Sequence, residues 1–440
     1  MLARDFQRRL LALDPVEHRG RVRCVLPTHI AADGPNLPLG ALCRIGTGDD
    51  GQGAAVMAEV VRVDGEGITL SPFAQDVPIL VGARVVGCGR GDRVAVGPAF
   101  LGRAFDALGR PLDGGGEPCA ECLWPLHGRL PGPLERTARP VMVETGIRAI
   151  DGLLPLGIGQ RIGLFAPSGA GKTTLLGQIV GQAEADIVVI CLIGERGREV
   201  GGIWSGTLDE RARQRSVMIA ATSDQSAAMR VRAVHCALAH AEHWRAQGRH
   251  VLFLLDSATR LAMAMRELGL TSGEPPTSRG YTPGVFAAMP GIVERCGAVE
   301  GGGAITAILT VLSETEEIDD PICEMLKSLL DGHILLSRTL AEKAQFPAID
   351  VLRSVSRQAD RLMSQDHRAG ARRFVQSLST YEGSRTLIET ALYVRGASAA
   401  IDAAIDRHPA MLDFLGQEPT ERSDFRATLA RLSDLFGGAP

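Results

Sequence analysis

The stretch RIGLFAPSGAGKTTLLGQIVGQ, residues 161–182, constrains this chain more than any other. RIGLF has strand character, APSGAG is a turn, and KTTLLGQIVGQ opens a helix. A buried strand that runs through such a turn into a helix gathers backbone N–H groups and the positive helix end around one point. That point is an anion site. The order demands an α/β domain with the turn at the C-terminal end of a parallel strand. The phosphate-loop pattern G-x-x-x-x-G-K-[ST] is met except that Ala166 stands first. Alanine serves there if the position needs no positive φ, and Gly169 and Gly171 remain for close backbone approach. The candidate nucleotide-binding residues are Ser168, Gly169, Ala170, Gly171, Lys172, Thr173 and Thr174. Lys172 is placed to reach the β- and γ-phosphates of ATP, and the Thr173 hydroxyl to hold Mg²⁺. The bland alternative is an ordinary glycine-rich turn before a helix.

Composition supports a special need at Lys172. Of 47 basic residues only Lys172, Lys327 and Lys343 are lysine. A compact ammonium fits phosphate pockets that a planar guanidinium does not. A net charge of −4 argues against a broad nucleic-acid field. Nine cysteines, an odd number, argue for a reducing compartment without a disulfide framework. No signal peptide and no apolar run of spanning length is visible. The expected location is the cytoplasm.

Around this core the chain changes character. Residues 1–20 read as an amphipathic helix, with Leu2, Phe6, Leu10 and Leu13 at helical spacing. Such an isolated stripe at a terminus is expected to bind a partner. Residues 21–90 are short apolar runs broken by Gly, Asp and Pro, with Asp64-Gly65 as a hairpin signal. They read as a small β-barrel or sandwich. Residues 108–140 are rich in Gly and Pro and read as a long surface connection. From about 160, DIVVICLIGE, SVMIAATS, HVLFLLDS and AITAILTVLSE are apolar on both faces, as buried parallel strands are. After about 360 the chain is mostly helical. The expected division is 1–20, 21–90, 91–360 and 361–440.

Two acids end buried strands. Asp256 closes VLFLLD and is placed to hold Mg²⁺ through water; its alternative is a helix N-cap. Glu195 follows CLIG and is placed to polarise an attacking water. Its alternative is an ion pair with Arg196 or Arg198. Cys119, Cys122 and His127 resemble half a zinc site and lack a fourth ligand nearby. His235, His240 and His243 fall on a helix and read as a solvated face. SETEEIDDP reads as a solvated loop.

GERGREV, DSATR, GEPPTSRGYTPGVF, GGGAITAILTVL, DGHILLSRTLAE and FPAIDVLRSVSR occur in the order used by type III protein-export ATPases, which the chain resembles from about residue 20 to 415. These are similar to the catalytic subunits of rotary ATP synthases. LPLGALCRI and VGPAFLGRAFDALGRPLDG look more like the flagellar than the injectisome branch. The resemblance implies a RecA-like P-loop NTPase core with a mainly parallel sheet, an N-terminal β-barrel and a C-terminal helical domain. It implies hydrolysis of Mg-ATP by a homohexamer, with Lys172, Glu195 and Arg357 catalytic. Arg357, in SVSR, matches an arginine presented to the neighbouring subunit's nucleotide. Phe346 matches the aromatic that stacks on adenine, with core packing as its alternative. The implied partners are a stator-like regulator at residues 1–20, a coiled-coil stalk in the central pore, an export-gate membrane protein and substrate–chaperone complexes. PPTSRGYTPGVF is expected to line that pore, with Tyr281 against the stalk. The implied location is peripheral to the inner-membrane export apparatus.

Three other classes fit less well. A synthase subunit would carry an acidic segment that FVQSLSTYEGSRTLIE lacks. A Rho-type RNA motor would need an aromatic, basic platform, yet Phe73 is the only aromatic in 21–90. A non-enzymatic regulatory subunit would usually lack Lys172, Glu195 or Arg357, and all three are present.

Overall fold

The computed structural model describes residues 17–46, 55–74, 78–89, 91–137, 141–312 and 320–436. The proposed terminal helix falls largely on residues 1–16, outside the described residues.

Six strands form a closed barrel: β1 (Arg19–Val25), β2 (Ile30–Ala32), β3 (Leu42–Gly46), β4 (Ala55–Asp64), β5 (Gly67–Pro72) and β6 (Arg84–Gly87), in the order β1-β2-β5-β4-β3-β6. Alternation builds it. Val56, Ala58 and Val60 of β4 turn inward beside Cys43, Ile45, Ile68, Leu70 and Val85. Arg19 and Gly20 belong to β1 rather than to a helix, because they pair with Val86 and Val85 of β6 to close the barrel. The hairpin at Asp64 is present, with Asp64 and Gly67 paired and the turn on Gly65 and Glu66.

The core is a ten-stranded sheet. Its main strands are β7 (Arg103–Phe105), β8 (Arg161–Ala166), β9 (Ile187–Ile193), β10 (Ser216–Ala221), β11 (His250–Asp256), β12 (Ala304–Leu312), β13 (Gly332–Leu335) and β14 (Val355–Ser356). They lie in the order β14-β13-β8-β12-β11-β9-β10-β7, parallel from β13 to β7, with β14 antiparallel. Every residue of β9 is buried. Its alternate side chains go to two cores: Val189, Cys191 and Ile193 to one, Val188, Ile190 and Leu192 to the other. Helices α2 (Ala227–Ala246) and α3 (Ala258–Thr271) cover the first face. Helix α1 (Lys172–Gln182) covers the second. The short helix α4 (Pro321–Leu329) precedes β13. The C-terminal helices α5 (Gln365–Glu389), α6 (Ala399–Leu415) and α7 (Phe425–Phe436) join the second face through Phe374, Phe414 and Leu432.

Two expectations need correction. The 108–140 connection is not all loop: Cys122–Pro125 pairs with Arg93–Val96, and Arg136–Thr137 pairs with Val299 and Ala298. That first ribbon lies over α2 and removes its solvent face. His240 and His243 are therefore buried, not solvated. His240 packs on Phe100, and burial pushes its pKa down to about 3, so the neutral ring serves as core.

Candidate active site

Sheet order decides what meets at the C-terminal edge. β9 follows β8 in sequence but lies beyond β12 and β11 in the sheet. A crevice opens where the chain reverses direction in this way. The loop after β8, Glu195 after β9 and Asp256 at the end of β11 all open into it.

The loop residues Ser168 and Gly169 are exposed, as are Thr173 and Thr174 in the first turn of α1. Gly169 and Gly171 have φ of 82° and 84°, which an L side chain rarely adopts. A Cβ on Gly169 would meet nothing within 4 Å and would stand in the open crevice. Ala166 is in strand conformation inside β8 and needs no glycine.

Lys172 Nζ lies 2.5 Å from Asp256 Oδ1 and 3.6 Å from Glu195 Oε1. Asp256 is 2% exposed and Glu195 5%. Charges this deep are costly unless paired, and one lysine serves both. Asp256 also accepts from Thr310 Oγ1 at 2.7 Å. Asp256 is not the N-cap, since Ser257 Oγ caps α3 by accepting from Arg260 N. Glu195 pairs with Arg260 at 3.3 Å and with Lys172, rather than with its sequence neighbours Arg196 or Arg198. Burial and then the Glu199 carboxyl push Glu195 above the usual carboxylate range, against the pull of Lys172 and Arg260. A carboxylate raised in this way is a better proton acceptor for water.

Beside the loop a cleft of about 990 Å³ opens between α1 and the C-terminal helices. Ala170, Gly171, Thr174, Gln178, Phe346 and Gln417 are among its walls. Phe346 is 44% exposed, and its ring edge lies 3.5 Å from where a Gly171 Cβ would be. It is not a core residue. Its carbonyl accepts from Gln417 N at 2.8 Å, which fixes it to the C-terminal region.

Arg357 lies elsewhere. It follows β14, and its backbone N–H donates to Asp331 O just before β13. Its guanidinium donates to Lys327 O and Ser328 O at the end of α4. Asp331 is level with Arg161, at the start of β8, whose N–H and side chain it holds. From Arg161 to the loop is about 16 Å of strand at ~3.3 Å per residue. Arg357 therefore sits on the opposite edge of the sheet from its own phosphate loop.

Two family descriptions cover most of the chain. The nucleotide-binding domain of the ATP synthase alpha/beta family matches residues 146–356, and the T3SS EscN ATPase C-terminal domain matches residues 363–434. The flagellum-specific ATP synthase of Bacillus subtilis is 43% identical over 96% of this chain and 96% of its own length. The type 3 secretion system ATPase of Sinorhizobium fredii is 44% identical over 95% and 92%. This chain belongs to the type III export ATPases. The assembled ATPase EscN of the enteropathogenic E. coli type III secretion system superposes on it with a TM-score of 0.89 at 37% identity, over 95% of this chain and 100% of its own.

The export ATPase acts on ATP with Mg²⁺. Its own residues fit that pair: the open cradle at Gly169, the exposed Thr173 hydroxyl, one lysine and two buried acids within its reach. Sequence reading passed over Arg260 and Thr310. Arg260 was visible in DSATR without a role. Thr310 gave one signal, a hydroxyl inside the apolar strand AITAILTVL. The reading of Tyr281 is corrected. It is 2% exposed and packs against Phe286 and Arg266, because the chain turns inward there to start the helix Pro283–Glu294. The exposed part of that loop is 275–279.

Proposed function

We propose that this ATPase works as a homohexameric ring in which each nucleotide site is completed by Arg357 of the neighbouring copy. The observation that carries this is the separation of Arg357 and the phosphate loop to opposite edges of one sheet. A residue that cannot reach its own loop can reach the next when copies pack edge to edge. Mg²⁺, when bound, would neutralise charge on the phosphates. Lys172 leaves Asp256 for the phosphates, Thr173 and Asp256 hold the metal side, and Phe346 stacks on the base. Glu195, freed from Lys172, takes up the attacking water and its proton. Arg357 from the neighbour stabilises charge on the transferring phosphoryl group.

The ring promotes delivery and unfolding of export substrates at a membrane gate, and the flagellar apparatus is the assigned system. It is cytoplasmic and peripheral to the inner membrane. The chain divides into a barrel (21–90), an ATPase part (91–360) and a helical part (361–440) that packs on the ATPase core. Residues 1–20 dock a stator-like regulator. EscN has been solved with its central stalk EscO, and a coiled-coil stalk is the partner assigned to loop 275–279 here. Export-gate and substrate–chaperone contacts complete the set. The injectisome is the second reading, supported by relatives such as the Sinorhizobium fredii protein.

Two experiments test this. Glu195→Gln should bind ATP normally while turnover falls by roughly 10²–10⁴; normal turnover removes Glu195 from catalysis. Deleting the gene should abolish filaments and spare effector secretion. The reverse pattern assigns the injectisome.

A further inference from the structure

Two donors share one oxygen of Asp256. Lys172 Nζ approaches Oδ1 at 2.5 Å and Thr310 Oγ1 donates to the same atom at 2.7 Å. Thr310 lies on β12, between β8, which leads into the phosphate loop, and β11, which ends in Asp256. Register places it beside Leu164 of β8, while Leu309 sits beside Leu255 of β11, so Thr310 is level with Asp256. Its side chain is fully buried. A hydroxyl inside a strand covered on both faces costs free energy unless it is bonded. The only other polar residue of β12, Thr306, meets Gly159 N–H and His250 at the far end of the strand.

The two donors differ in what they do when nucleotide arrives. Lys172 sits on a loop-borne helix start and is drawn to phosphate. Thr310 is fixed in the sheet and stays. We propose that Thr310 is a positioning residue that holds the Asp256 carboxylate in place while Lys172 transfers from it to the nucleotide. With Oδ1 pinned by the hydroxyl, Oδ2 remains the carboxylate's free acceptor for the metal side. Without the hydroxyl, Asp256 keeps only the lysine as anchor and can rotate after it. This rests on the reading of Asp256 as the acid that serves Mg²⁺.

The test uses full-length protein, a fluorescent ATP analogue and a Mg²⁺ titration. Thr310→Val keeps the shape and removes only the O–H donor. The Mg²⁺ midpoint for analogue binding should rise about tenfold and kcat should fall about tenfold, the scale of one hydrogen bond to a charged group. KM for ATP at saturating Mg²⁺ should stay within about twofold, since the base and phosphate contacts remain. Thr310→Ser should restore both quantities. A Thr310→Val protein with wild-type midpoint and kcat overturns the proposal. So does a Thr310→Ser protein as impaired as Thr310→Val, because packing of the methyl would then be the cause. If Thr310→Val does not fold, Thr310→Ser against Thr310→Ala decides by the same midpoint. Asp256→Asn separates the two readings. If it keeps the wild-type midpoint, both fall. If it loses Mg²⁺ dependence while Thr310→Val does not, only the role of Thr310 falls.

Discussion

The two edges of the central sheet use charge in opposite ways. At the C-terminal edge, Glu195 and Asp256 converge on Lys172, and Glu195 also pairs with Arg260. Their pairing is provisional in chemical terms, since a phosphate competes for the same lysine. At the N-terminal edge the pairs are structural. Arg161 is bound by Asp331 and Glu294, and Arg357 closes the carbonyl end of α4. The difference teaches that one subunit builds an acid-rich site on one edge and anchors an arginine on the other. In the proposed ring the two would meet across a subunit boundary.

The strongest way to break this comparison is Arg357→Ala. Arginines of this kind contribute roughly 10³–10⁵ in rate, so assembled rings should bind ATP and hydrolyse it slowly at every protein concentration. Mixing Arg357→Ala with Lys172→Ala subunits should return some activity, because some sites then pair an intact loop with an intact arginine. Normal hydrolysis by assembled Arg357→Ala rings would falsify the division of labour. A smaller effect is expected from Phe346→Ala at the cleft beside the C-terminal edge. Loss of base stacking, ~1–3 kcal/mol, should raise KM for ATP about tenfold, with kcat little changed. Phe346→Tyr should recover it, and an unchanged KM in Phe346→Ala would move adenine elsewhere in the cleft.

The smallest effect on turnover is expected away from both edges. Glu59, on β4, faces Arg232 of α2 across the barrel–core joint at 3.9 Å. Burial raises its pKa to about 7 from 4.5, and Arg232 only partly offsets this. The folded chain thus binds the Glu59 proton more tightly than the unfolded chain does. The stability that Glu59 contributes is fully present below about 4.5 and is lost as pH rises through 7, by ~3 kcal/mol at most. Glu59→Gln should be flat across that window and melt higher than wild type at pH 8, with the gap closing by pH 5. ATP turnover should not change. A gap of the same size at both pH values would mean that Glu59 is ionised alike in both states.

Local sequence made much of this legible. The strand–loop–helix at 161–182, the acids ending β9 and β11 and the β4–β5 hairpin all depend on residues close in the chain, where turn chemistry and apolar alternation act directly. The failures share a cause too. His240 and His243 looked solvated because an Ala-rich helix with scattered polar residues carries no strong apolar stripe; the ribbon that covers it comes from over a hundred residues earlier. Tyr281 looked like a pore contact because Pro and Gly around it marked a loop, and nothing local said that its ring turns in against Arg266.

By itself the sequence determined the chemistry on offer: one lysine in a glycine loop, two strand-ending carboxylates, an arginine after SVS and an aromatic before Pro347. Those identities follow from covalent order. Only the tertiary structure decided who meets whom. The strand order β8-β12-β11-β9 brings Glu195 and Asp256 to Lys172 and sets Thr310 against Asp256. The reversal from β13 into β14 carries Arg357 back to the far edge. Sheet order is set by long-range burial of strands that are apolar on both faces, and such strands look alike in sequence whichever neighbour they choose.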